Sequence, residues 1–211
     1  MSPAIVGTEH NAMNRRTLLL TPLAALPLRP AYAQTTSRRI RGRVVSLDGK
    51  TLTVATREGP TVAIALADNF AVSEVTPLTL DAIAPNSFVG IASLHRDGQD
   101  IAVEVLVFPE AARGSGEGSY PWDLAPESTM TNATVATVAA AADGRKLALT
   151  YKGGTREVVV PPGAAIVTVA PADKSLLVAG APVFIGATVG ADGSLSAARV
   201  TTGRNGVAPP M

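Results

Sequence analysis

The chain has 211 residues, 46% of them hydrophobic, 4% aromatic and 17% charged, with a formal net charge of +1. That length accommodates one large or two small domains. The lack of cysteine excludes a disulfide frame, a thiolate metal site and a cysteine nucleophile, and the near-neutral balance argues against nucleic acid or an anionic membrane as partner.

Residues 1–33 read as an export signal and are set apart from the fold. Asn14-Arg15-Arg16-Thr17-Leu18-Leu19-Leu20 resembles a twin-arginine signal. A general secretory signal, with the arginine pair as its basic head, is the alternative. The apolar run 18–28 is broken by Pro22 and Pro27 and falls short of the ~20 residues that a membrane span needs. Ala31-Tyr32-Ala33 is a small-x-small cleavage site, which puts the mature start at Gln34. Met13 is an alternative initiator. The segment carries Arg15, Arg16, Arg29 and Glu9, so the rest of the chain holds 15 basic and 16 acidic residues against 18 and 17 in the whole. The expected location is the periplasm, with no membrane span.

Residues 34–39 read as a flexible lead. The first β-rich unit is expected over 40–110. Val44, Val45 and Leu47 run up to Asp48-Gly49, a tight-turn pair. Leu52 and Val54 alternate with threonines 51, 53 and 56, and Val62, Ile64 and Leu66 alternate again, as half-buried strands do. A short strand is expected over 70–75 and a helix-like piece over 77–84, with Thr79 as cap and Pro85 as stop. The segments 87–94 and 101–108 form a hairpin around Arg96-Asp97-Gly98.

Residues 111–132 form the connector. Gly114, Gly116, Gly118, Pro121 and Pro126 forbid a regular helix or a central strand. Plain flexible linkers lack large aromatics, yet this segment holds Tyr120 and the only tryptophan, Trp122. An ordered strap is therefore expected.

A second unit over 133–206 repeats the first. Asp143-Gly144 follows Asp48-Gly49, and Asp192-Gly193 follows Asp97-Gly98, each 95 residues later. Leu147-Ala148-Leu149 answers Leu52-Thr53-Val54 at the same offset. Each unit alone is small enough to bury only about 60% of its unfolded surface, so two packed units sealed by the strap are expected. Residues 207–211 are a tail that either returns onto a barrel or frays. Gly42-Arg43-Val44-Val45, Asp48-Gly49, Leu52-Thr53-Val54 and Pro85-Asn86-Ser87-Phe88-Val89 resemble an exported bacterial domain family of unknown function. The strap residues Pro121-Trp122-Asp123-Leu124 and Ser128-Thr129-Met130-Thr131-Asn132 resemble a two-copy subgroup of it. That resemblance implies an all-β fold of two tandem OB-like small barrels, each with one short helix, and carries over no catalytic residue. Some members bear a metal-transporter permease label, which the lack of a spanning segment rules out here.

Candidate chemistry is sparse. Outside the signal His95 is the only histidine, and a zinc site needs three or four ligands, so an exposed turn histidine is expected. Gly114-Ser115-Gly116-Glu117-Gly118 is followed by Tyr120-Pro121 and not by a helix, so it reads as a packed turn and not a phosphate loop. Phe70, Phe88, Phe108, Tyr151 and Phe184 lie mostly in apolar strands, which leaves no stacking platform for nucleic acid. Asp68, Asp81, Asp97, Asp100, Glu117 and Asp123 lack calcium-loop spacing. Met130 suits gap-filling better than copper binding, with Met211 its only partner outside the signal. Arg113, Glu117, Tyr120, Trp122 and Asp123 are the one place where aromatics meet charges, and they are the expected ligand- or partner-binding residues. The expected function is a periplasmic, non-enzymatic binding or scaffold protein with no cofactor, taking a periplasmic protein or small ligand near the connector. An accessory role in metal handling or envelope maintenance is the alternative, and a hydrolytic enzyme is disfavoured.

Overall fold

A computed structural model describes residues 36–203 and 207–209. The expected export signal, the twin-arginine motif, the two residues that precede β1 and Met211 lie outside the described residues. What is described is all β: twelve strands and three single turns of 3-10 helix. The strands are β1 (Thr36–Asp48), β2 (Thr51–Thr56), β3 (Thr61–Pro77), β4 (Phe88–Arg96), β5 (Gln99–Val107), β6 (Gly118–Pro121), β7 (Thr129–Ala141), β8 (Gly144–Tyr151), β9 (Gly154–Val160), β10 (Ala165–Ala172), β11 (Pro182–Val189) and β12 (Leu195–Gly203). Period-two alternation is plain in β2 and β11, whereas β4 is buried at six consecutive positions from Phe88. In β2, Leu52 and Val54 point to a core while Thr53 between them stays half-exposed. The helix-like piece expected over 77–84 is the end of β3 and one turn, Leu80–Ala82, too short for an α-helix. The lead expected over 34–39 is corrected as well: β1 begins at Thr36, because Thr36 to Arg39 pair with Val189 to Gly186 of β11.

The pairing closes a five-stranded barrel. β1 pairs antiparallel with β2, β2 with β3, β11 with β12 and β11 with β1, and β12 closes the ring by lying parallel to β3. A second ring runs β7, β8, β9, β5, β4 and back to β7. Its closure is parallel too, through Ile101 and Val159, and β5 continues in the same sense along β10 from Glu104–Ala165 to Val107–Thr168.

The strands of each ring are not those of one sequence unit. β4 and β5, expected to complete a barrel over 40–110, pair instead with β7, β9 and β10. β11 and β12, expected within a barrel over 133–206, complete the ring of β1, β2 and β3. The hairpins have changed places. The two rings meet at β3, 17 residues long, whose second half pairs with β12 on one edge and antiparallel with β10 on the other, from Val72–Ala172 to Pro77–Val167. A shift of 95 residues turns the first of these pairs into the last, so the contact is self-complementary, as at a two-fold interface. Exchange costs little when both hairpins offer nearly the same strands to either ring.

Two cores result, each fed by both units. Ile40, Leu52, Val54 and Ile64 meet Val183, Ile185 and Val200 in the first. Val89, Ile91 and Val105 meet Val135, Leu147, Leu149 and Val158 in the second. A smaller cluster of Val75, Leu106 and Val167 joins them, with Phe108, Val169 and the tail residue Val207 packed against it. The tail thus returns onto the protein at Val207.

The single repeat offset of 95 does not hold throughout. A β-bulge between Val44 and Ser46 recurs between Val135 and Thr137, 91 residues later. Gly49 lies within its turn, whereas Gly144 opens β8, so those two Asp-Gly pairs are not equivalent. Copy two has a longer first hairpin.

Candidate functional site

The strap is ordered. Arg113 fixes its start: Nε donates to Glu110 at 2.6 Å, and Nη2 donates to Glu110 at 2.7 Å and to the Asn86 carbonyl at 2.8 Å. Gly114 and Gly116 take positive φ, +81° and +60°, in two consecutive turns closed by Ser115 N–H to Ala112 and Glu117 N–H to Gly114. β6 follows them, so the glycine run is the packed turn expected. β6 lies antiparallel on β7, Gly118 opposite Asn132 and Pro121 opposite Thr129. Pro121 is tolerated because β6 is an edge strand. The chain then folds back: Trp122 N–H donates to the Ser128 carbonyl at 2.7 Å, and the buried Ser128 hydroxyl lies 3.0 Å from the Trp122 carbonyl.

Three of the five expected site residues gather here. The Trp122 and Tyr120 rings are 6.0 Å apart and tilted. The Arg39 guanidinium stacks 3.8 Å from the Trp122 ring centre, a cation–π contact. Asp123 accepts a 2.8 Å bond from Arg41 Nη2, with Arg39 3.6 Å away. Burial opposes ionisation of Asp123, but the Arg41 bond and the nearby charges of Arg41 and Arg39 outweigh it and hold the carboxyl below its usual range. The other two expected residues lie elsewhere. Arg113 serves the latch, and Glu117 accepts a 3.0 Å bond from the Lys152 N–H. Their bonds go to Glu110, Asn86 and Lys152 and not to the aromatic pair.

Arginines on β1 were missed by the sequence reading. Arg39, Arg41 and Arg43 stand at every second position of one strand and therefore share a face. That spacing is legible in the sequence, but reading 34–39 as a lead hid its start. The structure brings Arg41 and Arg43 together with Arg57 around a cleft of about 610 Å³, which Glu104, Leu124 and Pro182 also line. Ala208 and Pro209 of the tail reach its wall. Arg43 Nη1 is held by the Gly180 carbonyl at 2.9 Å. Close by, Trp122 Nε1 is buried with no hydrogen-bond acceptor among the described residues, a state that costs about 1–3 kcal/mol.

A second cleft, about 670 Å³, lies between the tips of the β4–β5 and β7–β8 hairpins and is lined by His95, Asp100, Lys146 and Glu157. His95 is exposed beside the Asp97-Gly98 turn, as expected, and its Nδ1 is 2.9 Å from Asp100. Arg156 donates to Asp100 at 2.6 Å and to Ser119 at 2.8 Å, which ties β5 and β9 to the strap. The Arg156 bond is the main cause that holds Asp100 below the carboxylate's ordinary 3.8, against burial and with help from His95. A lowered folded value means stability that is complete above the unfolded pKa and is lost as pH falls through the folded one. Asp100→Asn is therefore expected to be less stable than the parent near neutral pH, and the gap is expected to narrow at about pH 3, as urea unfolding at both values would show.

The remaining expectations fall out simply. Asp68 pairs with Lys50 and Asp81 with Arg145. Met130 is buried, as gap-filling requires. Phe70 and Phe88 are buried, and Phe108 packs on Phe88 at 5.2 Å. Among the described residues no three His, Asp or Glu side chains gather as a metal site, and no helix is long and apolar enough to cross a membrane. No protein-family model, curated protein or solved structure matches this chain.

Proposed function

We propose that this chain is an exported, non-enzymatic binding or scaffold protein acting in the periplasm, and that its ligand occupies the arginine-lined cleft beside the strap. The observation that carries this reading is the convergence of Arg41, Arg43 and Arg57 with Leu124 and Pro182 around one opening. Guanidinium forks suit carboxylates or phosphates, and an apolar wall suits a ligand with a carbon body. We also read the two rings as exchanged OB-like barrels. In support, each ring runs first, second, third, fifth and fourth strand in order, with the third and fifth parallel. In such barrels ligands are held by side chains on a rigid sheet.

Trp122 is the only tryptophan, so its fluorescence reports on the strap. Titration with citrate, a tricarboxylate, is expected to change it saturably, and Arg57→Ala is expected to weaken the apparent affinity about tenfold, as for a lost charge-assisted hydrogen bond. A response that does not saturate, or one that Arg57→Ala leaves unchanged, would remove the cleft from consideration.

A further inference from the structure

β1 leaves part of one edge unused. Its residues 36–43 pair with β11 on one side, but pairing with β2 on the other begins only at Gly42. Among the described residues no strand pairs with 36–39 on that side. Backbone direction there can be read from neighbouring bonds. Val44 donates to Ala181 and accepts from Gly180, so the even-numbered residues turn their polar groups toward β11. Arg41 accepts from Arg57, so the odd-numbered residues turn theirs the other way. Ser37 and Arg39 thus offer N–H and C=O groups outward, and Thr36, Ser37 and Arg38 are exposed.

The second ring shows what fits such an edge. The shared bulge makes Arg43 the counterpart of Thr134, and each is the last residue to pair with the opposing hairpin, Pro182 and Phe88 respectively. Arg38 and Arg39 then match Thr129 and Met130. On β7 that edge is filled by β6, which is antiparallel and four residues long, with Tyr120 opposite Met130 and Pro121 opposite Thr129. Among the described residues, the chain carries its own strand for one of two equivalent edges and none for the other.

We propose that the 36–39 edge of β1 is a docking site for an extended, acidic peptide segment of a partner protein, added antiparallel as β6 is added to β7. Main-chain bonds of this kind supply affinity, and alternate side chains supply selectivity. The acidic character follows from charge. β1 carries Arg38, Arg39, Arg41 and Arg43 against a single acid at its end, Asp48. Asp123 already shows a carboxylate held between Arg39 and Arg41. The same charges disfavour a second copy of this chain, since antiparallel β1 strands would set arginines opposite arginines. An open edge is a hazard that charged side chains usually blunt, and here they also select the guest.

The test uses the purified, ¹⁵N-labelled protein and a synthetic capped peptide of alternating Glu and Val, six residues long. The Ser37 and Arg39 amides are expected to exchange quickly in the protein alone and to become protected when the peptide is added. Ser37→Pro removes one outward N–H, leaves the β11 ladder intact and suits an edge strand, so it is expected to weaken binding about fivefold, the worth of one hydrogen bond. Arg57→Ala, which bears on the cleft, is expected to leave peptide binding unchanged, so this site and the cleft fail independently. The proposal is overturned if the two amides are already protected without peptide, if a Lys-Val peptide binds equally well, if Ser37→Pro has no effect, or if the peptide protects only residues elsewhere.

Discussion

Ile91→Ala is expected to lower stability by about 2–5 kcal/mol, read from the urea midpoint. Ile91 is fully buried, and the cost combines lost transfer energy with the cavity left behind. What matters is the core in which that cavity opens. Ile91 lies in the first sequence unit but shares its core with Leu147 and Leu149 of the second, while Leu52 of its own unit belongs to the other core. A double-mutant cycle of Ile91→Val with Leu149→Ala is therefore expected to depart from additivity, by about 0.5–3 kcal/mol for residues sharing a cavity. The cycle of Ile91→Val with Leu52→Ala is expected to be additive within about 0.5 kcal/mol. Coupling to Leu52 in place of Leu149 would restore the tandem arrangement and refute the exchange.

The other large effect is expected at Gly42. There β1 leaves its open edge and begins to pair with β2, and the two backbones approach closely. A Cβ at Gly42 would stand 2.2 Å from the Ala55 carbonyl oxygen and 2.8 Å from Val54 Cγ1. The oxygen belongs to the β1–β2 ladder and cannot swing aside as a side-chain tip would. Gly42→Ala is thus expected to cost about 3 kcal/mol, the upper part of the range for overpacking. Gly186 of β11 is the control, since nothing lies within 4 Å of its missing Cβ, and Gly186→Ala is expected to change stability by less than about 0.5 kcal/mol. Equal effects at both glycines would mean that β1 and β2 do not meet so tightly. Because Gly42 also lines the arginine cleft, loss of this approach would move Arg57, which follows β2, away from Arg41 and Arg43.

The candidate site was half legible. Composition alone marked Tyr120, Trp122 and Asp123, because two large aromatics in a glycine- and proline-rich segment have no reason to be there unless they pack. Arg113 and Glu117 were grouped with them by nearness in sequence, yet the turns at Gly114 and Gly116 send their side chains to Glu110 and Lys152. Arg39 and Arg41 lie more than 80 residues from Trp122 in the chain, and nothing local ties them to it. Only the packing of β1 beside the strap does so.

Most strands and turns, the duplication and the ordered connector were determined by the sequence itself, while the start of β1 and the unbroken length of β3 were not. The former depend on interactions within a few residues: alternation of apolar and polar side chains, the backbone freedom of glycine, the fixed φ of proline. Which hairpin completes which barrel was decided only in the tertiary structure. The apolar character of β4 and β5 says that Ile91 and Val105 are buried, but it says nothing of the core in which they are buried, because two copies of one unit offer nearly identical surroundings. That choice shows where β3 of one ring and β5 of the other both pair with β10, the β3 contact joining residues about 100 apart in the chain. The arginine-lined cleft follows from the same choice, since Glu104 of β5, Ala165 of β10 and Pro182 of β11 line it beside β1.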